Sequence, residues 1–250
     1  MNPNFHICQT NLLNQKQRQE IANLTAICCA HDQINLSYPF EEEDLTHLLA
    51  YLSTGQLVAC LTLIPYEEDL AECCAFTHPD FRRQGYFSQL LEKSISQFPD
   101  TDLLFAVSES CLDTQKTLEA LGAEKDSEEY MMERTLHEFD KNNLHFLSAD
   151  FTLCQTNASE FALYKKEILC GTVCAQPVSE TSVCLHHVEI LPTFRGQGCG
   201  TAFLHLLFLH LASHGIKHIL LHVAGDNTPA IALYKKTGFS ITKTLSYYLY

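Results

Sequence analysis

The 250-residue sequence contains no tryptophan and few cations: 16 lysines and arginines stand against 30 aspartates and glutamates, for a formal net charge of −14. This deficit argues against a nucleic-acid-binding protein, because such proteins bind mainly through cationic contacts to phosphates. Long apolar runs are missing as well. The longest, around residues 203–212, is interrupted by His205 and His210 and falls well short of the roughly 20 residues that a membrane-spanning helix needs. We therefore expect neither a nucleic acid nor a membrane as a partner.

Secretion and metal binding also lack their usual sequence signals. The first residues show no basic segment followed by an apolar one and a cleavage site, so no signal peptide is indicated. The twelve cysteines include no Cys-x-x-Cys pair, and His210 and His214 have no obvious third ligand. Because the cysteines are scattered through apolar segments of a long chain, they are interpreted as reduced core thiols. We expect a cytoplasmic protein without a metal site.

One segment of the sequence occurs twice. Residues 76–85, Phe-Thr-His-Pro-Asp-Phe-Arg-Arg-Gln-Gly, are echoed by residues 190–198, Ile-Leu-Pro-Thr-Phe-Arg-Gly-Gln-Gly, with Pro, Phe, Arg, Gln and Gly in register. A shorter echo follows, because Leu121-Gly122-Ala123 is placed after the first copy much as Thr237-Gly238-Phe239 is after the second. The repeat predicts two related halves. We place them at residues 1–140 and 141–250, since a polar run interrupts the pattern near the boundary.

Each copy of the repeat lies in a series of alternating strand-like and helix-like runs. The predicted strand, helix, strand and helix are 70–77, 86–98, 103–107 and 114–121 in the first half, and 182–190, 201–214, 218–223 and 228–237 in the second. Before them, the first half has predicted helices over 15–29 and 41–52 and a hairpin over 56–65, whereas the second has only strands, 161–165 and 168–175. Such alternation predicts an α/β fold with mixed sheets flanked by helices.

A glycine-rich turn in the second half is the strongest chemical signal. The run Arg195-Gly196-Gln197-Gly198-Cys199-Gly200 lies between a predicted strand and an apolar helix. Glycines let the backbone approach a ligand closely, and the free N–H groups at the start of the helix point towards an anion. A diphosphate would fit there, and a tight turn without a ligand is the alternative.

This region resembles the acetyl-CoA motif of the GNAT N-acetyltransferase superfamily. Residues 188–200 match its core, Arg/Gln-x-x-Gly-x-Gly/Ala after a strand. Its second block is matched by Leu221-His222-Val223, Asn227, Ala230, Leu233-Tyr234-Lys235-Lys236 and Gly238-Phe239. The resemblance covers residues 144–250 and, more weakly, 15–137, so the chain looks like a tandem GNAT protein. It implies direct transfer of acetyl from acetyl-CoA, as co-substrate, to a primary amine on a small molecule.

The resemblance also implies roles for particular residues. The backbone of Val188 and Ile190 would pair with the pantetheine arm. The diphosphate would be held at the motif arginine and the amides after it, that is, by Arg195, Gly196, Gln197, Gly198, Cys199, Gly200 and Thr201. Tyr234 matches the tyrosine that protonates the departing thiolate, and Asn227 matches a residue near the cofactor. An ordinary packed aromatic and a helix N-cap are the alternatives for these two side chains.

The general base has several candidates on the predicted cofactor strand. Glu189 is one of only six acidic residues in the second half. His186 and His187 are the others, because an imidazole titrates near neutral pH, and a water chain is the remaining possibility. A bulge is usual in this strand of the family, so the sequence leaves open which of these side chains faces the cleft.

The first half departs from the family pattern. Phe87 replaces the last glycine or alanine, Leu118 replaces Tyr234 and Cys111 replaces Asn227. We interpret this half as degenerate and expect it to shape the acceptor pocket. Residues 1–140 contain 8 basic and 24 acidic residues, which favours a cationic amine. The acidic run over residues 41–44 is interpreted as a solvated helix start.

Other functions remain compatible with the same motifs. One is an acyl-CoA-binding or regulatory module without turnover, and another is the transfer of a different acyl group. Tandem GNAT proteins also include aminoacyl transferases that use charged tRNA, which the low basic content disfavours. The chain is expected to act as a monomer or a homodimer.

Overall fold

The computed structural model describes residues 5–136 and 150–250, which form two compact units. Unit 1 contains the described residues up to Ser127 together with Leu245–Tyr250, and unit 2 contains those from Glu128 to Thr244. Each unit thus includes a strand segment from the other half of the sequence. The predicted boundary between residues 140 and 141 lies outside the described residues.

Unit 1 is a mixed sheet with three helices. The strands are β1 (Phe5–Thr10), β2 (Thr46–Leu52), β3 (Leu57–Glu67), β4 (Leu70–Thr77), β5 (Asp102–Ser108) and the end of β12 (Ser240–Leu249), in that order across the sheet. The helices are α1 (Gln15–Asp32), α2 (Tyr86–Gln97) and α3 (Leu112–Leu121). The pairing of β4 with β5 is parallel, and the other pairings within this sheet are antiparallel. This confirms the predicted fold class.

Helices cover both faces of the unit 1 sheet. Tyr86 and Leu90 of α2 and Leu118 of α3 pack against alternate residues of β2 to β5. Ile21 and Leu24 of α1 pack against the residues between them, on the opposite face. The start of α1 is fixed by a capping box in which the side chain of Asn14 accepts a hydrogen bond from the Gln17 amide and the side chain of Gln17 accepts one from the Asn14 amide.

Two sequence predictions for unit 1 are wrong. The predicted helix over residues 41–52 is the strand β2, preceded by an exposed turn that contains the acidic run 41–44. Helices cover both faces of β2, so the residues on both of its faces are apolar. The sequence of such a strand is a continuous apolar run, and its periodicity does not distinguish it from a buried helix. The predicted hairpin over 56–65 is one strand, β3, and the chain reverses before it at Gly55 (φ +85°).

Unit 2 is built from the second half of the chain and one earlier strand. Its strands run in the order β6 (Glu124–Thr135), β11 (His218–Ala224), β10 (Ser182–Ile190), β9 (Ile168–Ser179), β8 (Glu160–Lys165) and β7 (Phe151–Gln155). Its helices are α4 (Cys199–Ser213) and α5 (Thr228–Lys236). The bounds of β10 are those predicted. In the turn between β8 and β9, Lys166 and Glu167 both have positive φ, as a type I′ hairpin turn requires.

Both helices of unit 2 lie on one face of its sheet. Phe203 and Leu207 of α4 and Tyr234 of α5 pack with Leu185 of β10 and Leu221 of β11 in one core. The described residues place no helix on the opposite face. We call that face, which carries Cys184 and His186 of β10, His222 of β11 and Glu129 of β6, the open face of unit 2.

Candidate active site

The strands β10 and β11 separate part of the way along their length. They pair in parallel only over Ser182–Leu185 and His218–Leu221, although β10 continues to Ile190 and β11 to Ala224. Beyond Leu185, the only described strand that pairs with β10 is β9. The resulting opening, which we call the wedge, leaves backbone groups that an extended ligand can pair with in the manner of an added strand.

A bulge in β10 determines which side chains point to which face. His187 has a left-handed backbone (φ +51°), and the pairing with β9 shifts between His186 and Glu189, so the usual alternation of side chains is interrupted. Val188 and Ile190 therefore pack towards the helices. Glu189 and His186 are exposed, and the register shift puts both on the open face. The bulge expected from the resemblance is confirmed.

The glycine-rich turn follows the end of β10 directly. A single turn of 3₁₀ helix, Pro192–Phe194, leads to Arg195, whose Nε donates a hydrogen bond to the Ile190 carbonyl at 2.8 Å. Gly196 (φ +72°) and Gly198 (φ +79°) are left-handed, and a Cβ atom on either would meet no atom within 4 Å. These glycines are thus required by the backbone conformation, and the space beside them is open. The turn is exposed and ends in the free amides of the first turn of α4.

The next two residues can contribute only their backbone. The Cys199 side chain is buried in the core at 1% exposure. A Cβ atom on Gly200 would lie 2.9 Å from Leu233 Cδ2, so glycine there allows α4 and α5 to pack closely. Gln197 stabilises the turn, because its Nε2 donates to the Thr193 carbonyl at 2.7 Å.

Unit 1 contains a copy of this turn in which the arginine already binds a carboxylate. Arg83 (φ +60°) and Gly85 (φ +86°) repeat the left-handed residues, and Arg82 Nε donates to the Thr77 carbonyl at 3.1 Å. The remaining guanidinium nitrogens of Arg82 donate to both carboxylate oxygens of Asp32, at 2.8 and 2.7 Å. Within residues 150–250 and 5–136, no carboxylate forms an ion pair with Arg195. The two turns therefore share a backbone but differ in the charge they offer a ligand.

The pair Asp32–Arg82 should stabilise unit 1 in a pH-dependent way. The hydrogen bond from Arg82 lowers the pKa of the Asp32 carboxyl. A lowered pKa stabilises the fold at pH values above the ordinary value of about 4 for an aspartate, and this contribution is lost as the pH falls through the folded-state value. We expect Asp32→Asn to cost about 1–3 kcal/mol at pH 7 and less at pH 3. Urea unfolding followed by circular dichroism at both pH values measures this. Asp80→Asn, at an exposed aspartate, is the control, and an unchanged midpoint for Asp32→Asn at pH 7 would contradict the prediction.

Tyr234 lies where α5 packs on the core. Its ring is 6% exposed and contacts the Phe239 ring edge-on, with the centroids 5.7 Å apart. Burial raises the pKa of the Tyr234 phenol, so the neutral form, which can donate a proton, is favoured. The hydroxyl group forms no hydrogen bond to any described residue. The hydroxyl group is therefore available to a ligand.

Asn227 has the structural role that the sequence offered as an alternative. Its Oδ1 accepts a hydrogen bond from the Ala230 amide at 3.3 Å, so it is the N-cap of α5. The side chain is exposed at the end of β11, beyond the point where the wedge opens. The N-cap alternative is therefore confirmed, and a contact with the cofactor stays a prediction.

The open face carries one pair that sequence reasoning missed. Glu129 of β6 and His222 of β11 lie with Oε1 and Nδ1 3.6 Å apart. In the sequence, His222 is only one residue of the family motif. No local signal predicts its contact with Glu129, because the pairing of β6 with β11 is a long-range contact. Residues 5–136 and 150–250 contain no group of three or more His, Cys, Asp or Glu arranged to hold a metal ion. None of the helices described is long and apolar enough to cross a membrane.

Two solved structures resemble the fold over nearly the whole chain. A GCN5-related N-acetyltransferase from Sphaerobacter thermophilus is 14% identical with a TM-score of 0.73, over 98% of this chain and 95% of that one. A tandem GNAT protein from the clavulanic acid biosynthesis pathway is 15% identical with a TM-score of 0.68, over 98% of both chains. At these identities the likeness establishes the fold alone.

Curated relatives match a shorter segment of the sequence. A mycothiol acetyltransferase from Corynebacterium glutamicum (strain R) is 35% identical over 60 residues, which are 24% of this chain and 20% of the relative. One from Saccharomonospora viridis is 39% identical over 69 residues, 28% of this chain and 21% of the relative. The match thus spans about a fifth of the length of these relatives.

The profile of the Acetyltransferase (GNAT) family matches the chain twice, over residues 18–123 and 123–239. The two matches together span most of the sequence and include both copies of the turn. Members of this family use acetyl-CoA as the co-substrate. The chain therefore belongs to the GNAT acetyltransferase family and contains two GNAT domains in tandem.

Proposed function

We propose that unit 2 binds acetyl-CoA and transfers its acetyl group to a primary amine. The observation that carries the proposal is the continuity of the wedge with the open, left-handed glycine turn at the end of β10. Backbone groups of Val188 and Ile190 would hold the pantetheine arm, and the turn from Arg195 to Thr201 would hold the diphosphate. This arrangement would place the thioester near the apex of the wedge, where Leu185 and Leu221 pack with Tyr234.

The chemistry needs few groups from the protein. Holding the amine against the thioester carbonyl supplies much of the rate enhancement, and a backbone N–H at the wedge would stabilise the developing oxyanion. As the carbon–sulfur bond breaks, the neutral Tyr234 hydroxyl would donate its proton to the CoA thiolate. No covalent acyl-enzyme is required. The contact of Asn227 with the cofactor is part of the same proposal.

We propose in addition that unit 1 does not bind acetyl-CoA. Arg82 is already paired with Asp32, and the Phe87 side chain packs against its core where unit 2 has Gly200. Leu118 and Cys111 replace the proton donor and the capping asparagine. The division at residues 140 and 141, the cytoplasmic location and the monomeric or homodimeric state stay predictions.

The acceptor is proposed to be a cationic amine, on the basis of charge. Residues 1–140 hold most of the acidic residues of the chain. One of them, Glu129, lies on the open face together with Glu189 of the second half. The matched acceptors to compare are 1,5-diaminopentane and pentylamine, which differ only in the second ammonium group. We expect release of CoA thiol from acetyl-CoA with both, and a kcat/KM about 10-fold higher for the diamine, since a second charge near carboxylates gains about 1 kcal/mol or more.

Three other outcomes have distinct meanings. Equal or faster turnover of pentylamine would refute the cationic acceptor alone. Binding of acetyl-CoA without turnover of any amine would favour a non-catalytic acyl-CoA-binding module. Faster release of CoA from propionyl-CoA or a longer thioester would favour transfer of a different acyl group.

A further inference from the structure

Two histidines lie at the apex of the wedge, one on each strand. The last paired residues of β10 and β11 are Leu185 and Leu221, and the next residue on each strand is a histidine, His186 and His222. The two leucines belong to the helical core. Because successive side chains of a strand point to opposite faces, both histidines lie on the open face, on either side of the point where the strands separate.

Among the described residues, only His222 of these two histidines has a carboxylate beside it. Oε1 of Glu129 lies 3.6 Å from Nδ1 of His222. The register of the two strands fixes this contact, because Ala224 lies opposite Glu129 and Met131 lies opposite His222. The pair is partly covered: the Glu129 side chain is 35% exposed and that of His222 is 51% exposed. No described residue binds Nε2 of His222.

We propose that His222 is the general base that deprotonates the acceptor amine, with Glu129 as its positioning residue; this rests on the proposed function of unit 2. Glu129 would accept a hydrogen bond from the Nδ1–H group of His222, which keeps the proton on Nδ1 and leaves the Nε2 lone pair free to take a proton, as the carboxylate does in a Ser-His-Asp triad. The 3.6 Å separation is longer than a hydrogen bond, and such catalytic contacts often tighten only when substrate binds.

The proton transfers balance as follows. At neutral pH the acceptor arrives as an ammonium ion, and His222 Nε2 takes one of its protons, which passes to solvent. The nitrogen lone pair then forms the bond to the thioester carbon, and the carbon–sulfur bond breaks. The thiolate takes the Tyr234 proton, and the proton that the new amide nitrogen loses restores Tyr234. The base lies on the open face and the acid on the helical face, so the two would approach the thioester from opposite sides of the sheet.

The rest of the chain supports this assignment by contrast. His186 and Glu189 share the open face, but no described residue lies within ion-pair distance of either. In unit 1, β4 and β5 separate after Cys73 and Phe105, and the residues that follow, Cys74 and Ala106, include no base comparable to His222. The pair of histidine and carboxylate at the apex therefore occurs in the unit that also has Tyr234.

The test compares two pairs of isosteric variants in the purified full chain. His222→Asn is matched by His218→Asn, an exposed histidine on the same strand and face, and Glu129→Gln by Glu133→Gln, which removes the same charge from the same strand and face. Steady-state kinetics with acetyl-CoA and 1,5-diaminopentane are measured from pH 6 to 10, and acetyl-CoA binding is measured by calorimetry. Two further titratable groups on this face, His186 and Glu189, are replaced by Asn and Gln in additional variants.

We expect His222→Asn to lower kcat about 100-fold at pH 7 and Glu129→Gln to lower it about 10-fold, with acetyl-CoA affinity within twofold of wild type. The loss in His222→Asn should shrink towards pH 10, where the amine loses its proton in solution. The two matched variants should behave as wild type. A wild-type rate and pH profile in His222→Asn, or a larger loss in His186→Asn or Glu189→Gln, overturns the assignment while leaving the proposed function intact. A wild-type protein that binds acetyl-CoA but acetylates no amine refutes both.

Discussion

Gly198→Trp should abolish the binding of acetyl-CoA, with at least a 100-fold loss of affinity measured by isothermal titration calorimetry. The residue has φ +79°, and no atom lies within 4 Å of the position that a Cβ would occupy. A left-handed conformation costs a non-glycine residue about 1–2 kcal/mol. An indole group there would occupy the space beside the turn through which a diphosphate must approach the amides of α4.

The chain contains a matched control for this substitution. Gly85 occupies the same place in the turn of unit 1, with φ +86°, so Gly85→Trp introduces the same side chain with the same backbone strain. We expect Gly85→Trp to bind acetyl-CoA as the wild type does, with one site per chain. Loss of binding in Gly85→Trp together with retention in Gly198→Trp would place the cofactor in unit 1, and no binding by the wild type would mean that the fold has another use.

The features of the site that could be predicted from sequence are local ones. The turn at Gly196 and Gly198 has a glycine signature, and it fixes the end of β10 and the start of α4 within two residues. The N-cap role of Asn227 and the hairpin turn at Lys166 could be predicted for the same reason, since the conformational preferences of a few adjacent residues determine them.

The features that escaped prediction depend on long-range pairing. The strand β2 has the apolar run of a buried helix, and only its position between β1 and β3 makes it a strand. The strands β6 and β12 pair with β11 and β5 respectively, each in the unit formed mainly by the other half of the sequence. Nothing near Glu129 in the sequence indicates that it lies beside His222.

The bulge in β10 is an intermediate case. The resemblance to the family predicted that a bulge would occur, but its position decides which candidate bases share a face. With the shift placed between His186 and Glu189, both side chains lie on the open face, whereas a regular strand would have put them on opposite faces. A change of one residue in the position of the bulge therefore changes which candidate bases share a face. The residue types alone do not give that position.

Tyr234→Phe should lower kcat by about 100-fold or more while leaving the fold and the affinity for acetyl-CoA unchanged. The substitution removes only the hydroxyl group, which has no hydrogen-bond partner among the described residues, so the contact of the ring with Phe239 and the packing of α5 are retained. Because burial raises the pKa of this phenol, it is protonated throughout the neutral range and can donate to the leaving thiolate, a role worth about 10²–10⁴ in rate.

Stopped-flow detection of CoA thiol measures the rate, calorimetry measures the binding of acetyl-CoA, and circular dichroism measures the stability of the fold. Tyr164→Phe, on β8 of the same unit, controls for the loss of a phenol elsewhere. Full turnover by Tyr234→Phe would reduce the tyrosine to a packed aromatic, and the proton for the thiolate would then have to come from solvent at the mouth of the wedge.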